Sequence, residues 1–244
     1  MLLSLFTAEG MIGLVTLVLL EIVLGIDNII FIAILTGYLP KKDQQRARAL
    51  GLTMAMVFRI VLLLGISWLV HLTEPLFQVG PLSPSGRDLI LFAGGVFLVF
   101  KTLKEIIHKL SAPELDENGK VIKEKKLTVT QAILQIALID IVFSFDSILT
   151  AVGLSSDLQV MITAVVISMI VMLLFAPYVS NFINKYPTIK MLALAFLVCI
   201  GGLLIVEAFH LHIEKSYVYV AMGFSLIVEM LNIRLRQLHR GSSH

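Results

Sequence analysis

The chain has 244 residues, of which 58% are hydrophobic and only 15% are charged. With a mean hydropathy of +0.95, it is too apolar for a soluble globular domain of this length. The formal net charge of +2 gives no indication of a nucleic-acid partner. A single cysteine, Cys199, excludes an internal disulfide and a thiolate cluster for soft metals. The composition therefore predicts a polytopic membrane protein.

Seven apolar segments are long enough to cross a hydrocarbon core, which takes about 20 residues per helix. They are predicted at residues 10–37, 50–71, 88–108, 129–152, 158–182, 188–209 and 216–235. Proline and glycine residues separate them, and the charged stretch at about 109–128 predicts a loop in water. Residues 241–244 look like a purification-tag remnant. The predicted fold is all-α, with one transmembrane domain over residues 1–240.

Lysine and arginine are distributed unevenly between the two ends of these segments. Sixteen of the 19 lie after odd-numbered segments or in the C-terminal tail, positions expected on one side of the membrane. Arg87 and Lys215 fall on the other side, and Arg59 lies within the second segment. Because cytoplasmic connections carry the excess of positive charge, we expect a multi-pass inner (plasma) membrane protein with its N-terminus outside and its C-terminus in the cytoplasm.

An acidic pattern occurs twice, 119 positions apart, in the first and fourth apolar segments. In each copy a carboxylate is followed six residues later by Asp and then by a small polar residue. The two copies consist of Glu21, Asp27 and Asn28, and of Asp140, Asp146 and Ser147. We refer to them as the two acidic motifs.

The likeness between the two halves extends beyond the acidic motifs. Residues 58–64 resemble residues 168–174, and the third and sixth segments end at Glu105 and Glu207 after glycine-bearing apolar runs. Three segments then repeat as three, and an odd number forces the second copy to be inverted in the membrane. We expect repeat one at about 10–108, inverted repeat two at about 129–209, and a seventh helix at about 216–235. Such repeats are a common plan among transporters.

Four carboxylates in apolar surroundings each cost several kcal/mol if they are left unpaired. A bound cation is one solution; pairing with Arg59 or helix hydroxyls is the alternative, although one arginine cannot satisfy all four. On a continuous helix, acids six residues apart lie about 120° and 9 Å apart. Gly25 and Ser144 lie between the acids of each motif, and we expect a kink or an unwound turn at both.

The candidate ligands of the two motifs are all oxygen donors: Glu21, Asp27, Asn28, Asp140, Asp146 and Ser147. Oxygen sets of this kind suit Mn²⁺, Mg²⁺ or Ca²⁺ and do not favour Cu(I) or thiolate-bound zinc. We expect a transported divalent cation and no tightly bound cofactor. The roles of Glu207, Glu229 and Asn232 stay open, with an interfacial position and an ion relay as the alternatives.

The patterns Glu21-x5-Asp27-Asn28 and Phe143-Ser144-Phe145-Asp146-Ser147 resemble the signature of the TerC family of integral membrane proteins. The resemblance covers nearly the whole chain. The family is placed near the LysE-type exporters. Its bacterial members are associated with tellurite resistance by name and, more informatively, with export of Mn²⁺ from the cytoplasm. The resemblance implies that the six oxygen donors form the site of a manganese exporter.

Thylakoid relatives in the same family behave as assembly factors, so a non-transporting assembly or metal-homeostasis factor is the alternative. Its partners would include secretion or membrane-assembly machinery, whereas an exporter needs only the metal ion and membrane lipid. The chain has no Gly-x-x-x-x-Gly-Lys-[Ser/Thr] loop for nucleotide-driven pumping. It also lacks the Gly-x-Gly-Asp element of an intramembrane protease. We expect no enzymatic activity, and coupling of transport to protons.

Overall fold

The computed structural model describes residues 7–76, 83–111, 127–154, 157–211 and 213–241. The side chains of a few helical residues, Asp146 among them, fall outside this description. So do most of the predicted charged loop and the last three residues of the predicted tag remnant.

The described part of the chain is helical, as predicted. Its helices are α1 (Ala8–Leu24), α2 (Ile26–Thr36), α3 (Lys41–Leu64), α4 (Ile66–His71), α5 (Gly86–Leu110), α6 (Val129–Leu154), α7 (Leu158–Lys185), α8 (Pro187–Ala208) and α9 (Lys215–Gly241). Helices α1 and α2 follow one another across Gly25 and together form the first predicted segment. Helices α3 and α4 follow one another across Gly65 and form the second. The helices of the described residues therefore correspond to the seven predicted segments.

Six of these segments are long and apolar enough to cross a membrane: Gly10–Thr36, Lys41–Leu64, Val129–Leu154, Leu158–Lys185, Pro187–Ala208 and Lys215–Leu238. Helix α5 has 25 residues, sufficient for a span. It differs in composition, because Lys101, Lys104 and Glu105 lie in its second half. The second segment begins earlier than predicted, at Lys41, because Pro40 precedes the helix and fixes its start.

The predicted interruption of the helix is confirmed at Gly25 and wrong at Ser144. At Gly25 the helix ends and begins again, with the backbone N–H of Gly25 bonding to the carbonyls of Ile22 and Val23. Helix α6 instead runs through Ser144 without a break. There the hydroxyl of Ser144 donates to the carbonyl of Asp140 one turn earlier, so it is accommodated within the helix.

Packing between distant segments positions the acidic motifs. Helix α3 packs along α6, α7 packs along α1, α2 and α3, and α5 packs along α8. Helix α6 also contacts α1 and α2, which brings the two acidic motifs together in the protein interior. Helix α9 packs on α8 and is mostly exposed along its length.

Polar side chains join neighbouring segments at one end of the bundle. Tyr38, just after α2, donates a hydrogen bond to Glu105 near the end of α5. The ammonium group of Lys190, in the first turn of α8, lies 4.3 Å from the centre of the Tyr38 ring. Asn184, near the end of α7, donates to the carbonyl of Ala33 at 3.4 Å. We call this the lysine-rich end.

A different set of charges joins the opposite end of the bundle. Arg87 at the start of α5 forms an ion pair with Glu207 near the end of α8. Lys215 at the start of α9 lies 3.9 Å from the same carboxylate. His210 lies 2.8 Å from Asp88 in the first turn of α5. We call these five residues the Arg87 cluster.

Candidate functional site

Arg59 links the two acidic motifs in the interior. It lies on α3 and is only 2% exposed. One end nitrogen of its guanidinium contacts the Glu21 carboxylate on α1. Its Nε and Nη2 donate to the two oxygens of Asp140 on α6, at 3.2 and 3.0 Å. The guanidinium therefore bridges the first acid of each motif, and it binds Asp140 in the bidentate geometry that arginine prefers with carboxylates.

Hydrogen bonds from several elements satisfy the Asp140 carboxylate. Besides the two bonds from Arg59, the side-chain amide of Asn28 donates to Oδ1 at 3.0 Å. The hydroxyl of Ser144 lies 3.1 Å from Oδ2. Asp140 is 4% exposed, so the donors of Arg59 and Asn28 replace the water that a buried carboxylate loses.

The break at Gly25 sets the position of Asp27 and Asn28. Both lie in the first turn of α2 and are buried, at 7% and 3% exposure. Asp27 accepts a hydrogen bond from the backbone N–H of Asn28 at 3.0 Å. A carboxylate at a helix N-terminus is stabilised by the free N–H groups there. The Asp27 carboxylate is thus held by the backbone N–H of the next residue, whereas Glu21 and Asp140 are held by Arg59.

Two acceptor oxygens in this network have no hydrogen-bond partner among the described residues. They are Oε1 of Glu21 and Oδ1 of Asn28, and both are buried. A buried oxygen without a donor costs roughly 1–3 kcal/mol. Both belong to residues whose other polar atom is engaged in the Arg59 network, so both lie at its edge.

The second half of the α6 motif is only partly described. Ser147 is buried, and its hydroxyl lies 3.4 Å from the carbonyl of Ser144. Asp146 lies on α6 between them in the chain, and its side chain is outside the described residues. Five of the six predicted ligands are therefore placed in the interior, and four of them are within or next to the Arg59 network.

Comparison with known proteins identifies the family of the chain. Residues 6–244 match the family described as integral membrane protein TerC family. The chain belongs to the TerC family.

Several curated relatives of this TerC protein carry only general names. A UPF0053 protein of Haemophilus influenzae is 50% identical over 94% of this chain and 96% of its own length. The UPF0053 inner membrane protein YgdQ of Escherichia coli is 48% identical over 89% of this chain and 90% of its length. The UPF0053 inner membrane protein YoaE is 49% identical over 90% of this chain, which spans 42% of that longer protein. No solved structure matches.

The described residues of this TerC chain hold no ready-made metal cluster. No group of three or more His, Cys, Asp and Glu side chains among them is arranged to hold a metal ion. The Arg59 guanidinium lies between Glu21 and Asp140 and contacts both carboxylates. The sequence identified Arg59 as a partner for one or two acids but did not indicate which ones.

The residues whose roles stayed open lie apart from this network. Glu207 belongs to the Arg87 cluster and lies near the end of α8. Glu229 and Asn232 contact each other on α9, with 3.5 Å between Oε2 and Nδ2. Tyr38 and Arg87, which join the helices at the two ends, carried no sequence signal beyond their position near a segment end.

Proposed function

We propose that this TerC protein is a carrier of the inner membrane that exports a divalent metal cation, with Mn²⁺ favoured, in exchange for protons. The observation that carries the proposal is the Arg59 network. With the adjacent Asp27, it contains three buried carboxylates of the two acidic motifs, one buried guanidinium and, among the described residues, two acceptor oxygens without a donor. The inner-membrane location follows the names of the relatives YgdQ and YoaE.

Charge balance supports a cation as the cargo. Arg59 offsets one of the carboxylates of Glu21, Asp27 and Asp140, and Asp146 adds a fourth acid from the sequence. Ionised groups in the interior of a membrane protein are costly unless each is matched by a charge of opposite sign. A dication or protons can supply the missing positive charge, so the same carboxylates can carry either species. Exchange of one dication for two protons would leave the net charge of the site unchanged.

The chemistry of the donors supports Mn²⁺, Mg²⁺ or Ca²⁺ over softer metals. Among the described residues of the network, the acceptors without a donor are a carboxylate oxygen of Glu21 and the amide oxygen of Asn28, which follows Asp27 in the chain. Oxygen ligands of this kind favour hard divalent cations. The choice of Mn²⁺ among them rests on the family resemblance. In this proposal Arg59 must move aside before Glu21 and Asp140 can contact the cation.

Helix packing supports the proposed inverted repeat. If segments one, two and three correspond to four, five and six, then α3 against α6 corresponds to α7 against α1 and α2. The contacts of α5 with α8 and of α3 with α7 each join a segment to its own counterpart in the other half. The main packing pairs are therefore those expected of two related halves, which could expose a central site alternately to each side of the membrane.

Growth in excess manganese tests the proposal in cells. We expect that a manganese-sensitive strain is protected by the wild-type chain and not by Asp27→Asn, which keeps one oxygen but loses the charge. Quantitative detection of the protein in the membrane is the control for folding. Protection by Asp27→Asn and Asp146→Asn at the wild-type level would refute export and favour the assembly-factor alternative.

A further inference from the structure

A cavity of about 310 Å³ lies at the lysine-rich end between α2, α5 and α8. One side of the cavity is apolar and is formed by side chains of α2 and α8: Phe31, Ile34, Leu35, Leu194 and Leu197. The facing side is formed by α5 and carries charged groups. A ligand that fits both sides has an apolar part and a charged part.

Basic residues of α5 dominate the charged side of the cavity. Lys101, Lys104 and His108 line it, and their spacing of three and four residues puts them on one face of the helix. Lys190 of α8 is next to the lining, because its ammonium group lies 4.3 Å from the centre of the Tyr38 ring. In the described part of the chain, neither Lys101 nor Lys104 forms an ion pair with an acid.

The acid of this lining, Glu105, is already engaged within the protein. Its carboxylate accepts a hydrogen bond from the hydroxyl of Tyr38, and the positive charge of Lys190 attracts it. Glu105 thus offsets the charge of Lys190 and leaves those of Lys101 and Lys104 uncompensated. This balance of charge favours an anion in the cavity.

The position of the two lysines along α5 places them at the level of lipid head groups. Arg87, near the start of the same helix, belongs to the charged cluster at the opposite end. Lys101 and Lys104 follow Arg87 by about 21 and 26 Å along the helix axis, whereas the hydrocarbon core is about 30 Å thick. With Arg87 at one interface, both lysines leave the helix just inside the other interface, and their long side chains extend towards the lipid phosphates there.

We propose that this cavity binds the head group of an anionic phospholipid. Lys101 and Lys104 bind its phosphate, and the apolar side chains of α2 and α8 contact the adjoining part of the acyl chains. Basic pockets between membrane helices on the cytoplasmic side bind lipid head groups in this way, and the distribution of lysine and arginine predicts that this end is cytoplasmic. The lipid supplies the negative charge that α5 lacks, whatever the cargo of the protein.

The apolar side of the cavity favours a lipid over a soluble phosphate compound. A soluble anion would pair with the lysines but would leave the five apolar side chains of α2 and α8 without an apolar partner. The size of the cavity is also at the lower end of the about 300–1,000 Å³ of typical ligand pockets. It therefore suits a head group whose acyl chains stay in the bilayer.

Native mass spectrometry of the purified chain, titrated with lipid in detergent, tests the site. Phosphatidylglycerol should bind at least tenfold more tightly than phosphatidylcholine with the same acyl chains, because only the former has a net negative charge. Lys101→Gln combined with Lys104→Gln should remove this difference. Lys104→Gln alone should weaken phosphatidylglycerol binding about threefold, and it changes an exposed side chain, so folding is not at risk.

Lys41→Gln combined with Lys42→Gln is the matched control. It removes the same charge at the same end of the bundle, from two exposed lysines that do not line the cavity. Its preference for phosphatidylglycerol should equal that of the wild type. Equal binding of the two lipids by the wild type, or an equal loss of preference in both double variants, would overturn the proposal.

Competition with soluble anions identifies the kind of ligand. Inorganic phosphate and glycerol phosphate carry the charge of the head group without its acyl chains. We expect each to displace phosphatidylglycerol only at concentrations at least a hundredfold higher than that of the lipid. Displacement by either compound at a concentration similar to that of the lipid would assign the cavity to a soluble anion and overturn the lipid proposal.

Discussion

Arg59 determines how the four acids of the two motifs divide. It holds Glu21 and Asp140, the first acid of each motif, and leaves Asp27 to the N-terminus of α2. In the aligned segments of the second half, Met169 occupies the position of Arg59. The buried positive charge is therefore present in one half only, and the two motifs share it.

Replacement of Arg59 by methionine should destabilise the protein strongly. Arg59→Met leaves Glu21 and Asp140 buried without their cation, and breaking a buried pair in this way costs about 3–5 kcal/mol. The measurement is thermal unfolding in detergent. Adding Glu21→Gln and Asp140→Asn should restore much of the loss, because the uncompensated charges are then gone.

Met169→Leu is the matched control for Arg59→Met. It changes a buried residue at the aligned position without removing a charge, and we expect less than about 1.5 kcal/mol. If Arg59→Met and Met169→Leu unfold at the same temperature, the Arg59 network does not stabilise the interior.

The two motifs should tolerate loss of a neutral ligand better than loss of a charge. Ser147→Ala removes a neutral hydroxyl, which contacts the carbonyl of Ser144, so it should weaken Mn²⁺ binding by a few-fold. Asp146→Asn should abolish export while the protein stays folded, because exchange requires a group that ionises. Mn²⁺ binding by calorimetry and export in vesicles measure the two effects. Equal effects of both substitutions would contradict a role for charge.

The break between α1 and α2 is the element that separates Glu21 from Asp27. A Cβ on Gly25 would lie 2.5 Å from Sδ of Met172 and 2.9 Å from the carbonyl oxygen of Glu21. The sulfur can move, but the carbonyl belongs to the helix that carries the acid. Any side chain at this position therefore displaces one acid relative to the other.

Gly25→Ala should lower both stability and Mn²⁺ affinity. The overlap with the Glu21 backbone should cost about 1–3 kcal/mol, and the shift of Glu21 should weaken binding about tenfold. Gly13→Ala is the control on the same segment, because a Cβ there meets nothing within 4 Å. Should Gly25→Ala bind and unfold like Gly13→Ala, the break has no role in the site.

Hydropathy and breakers were enough to predict the helices, since each follows from a run of apolar residues between proline, glycine or charge. The break at Gly25 was predicted from its place between two acids, but the same reasoning failed at Ser144. A serine side chain can bond its hydroxyl to a carbonyl of the preceding turn, so serine fits within a continuous helix. Glycine has no side chain and destabilises the interior of a helix. The start of α3 was missed because Lys41, Lys42, Arg46 and Arg48 lower the hydropathy of a helical stretch.

The arrangement of the site was less accessible from the sequence. The acidic motifs indicated which residues would be buried, because carboxylates in apolar runs need compensation. The pairing of Arg59 with Glu21 and Asp140 depends on the packing of α3 against α6, which spacing within one segment does not reveal. The Arg87 cluster joins residues about 120 positions apart and depends on packing in the same way.

The whole molecule has two unlike ends with a charged network between them. A cavity lined by residues of α2, α5 and α8 is at one end, the Arg87 cluster is at the other, and the two acidic motifs lie between. In the proposed carrier, the acidic motifs would hold the cation or the protons between these two ends. Alternation between two access states then requires the ends to open in turn.

Mn²⁺ affinity should rise with pH. Protons and the cation compete for the same carboxylate oxygens, so binding releases protons. While those carboxylates are protonated, the affinity should increase about tenfold per pH unit for each proton released. Calorimetry between mildly acidic and neutral pH, in buffers of different ionisation enthalpy, gives both the affinity and the number of protons. An affinity that is constant over this range would contradict proton competition.

Transport of Mn²⁺ into inside-out vesicles tests the central claim most directly. Such vesicles expose the cytoplasmic face, so accumulation of radiolabelled Mn²⁺ inside them reports export. With the purified wild-type chain we predict accumulation that becomes faster when the vesicle interior is made acidic. Asp27→Asn, incorporated in equal amount, should accumulate no more than protein-free vesicles. Equal accumulation by Asp27→Asn and the wild type, or none by the wild type with a proton gradient, would contradict proton-coupled export through this site.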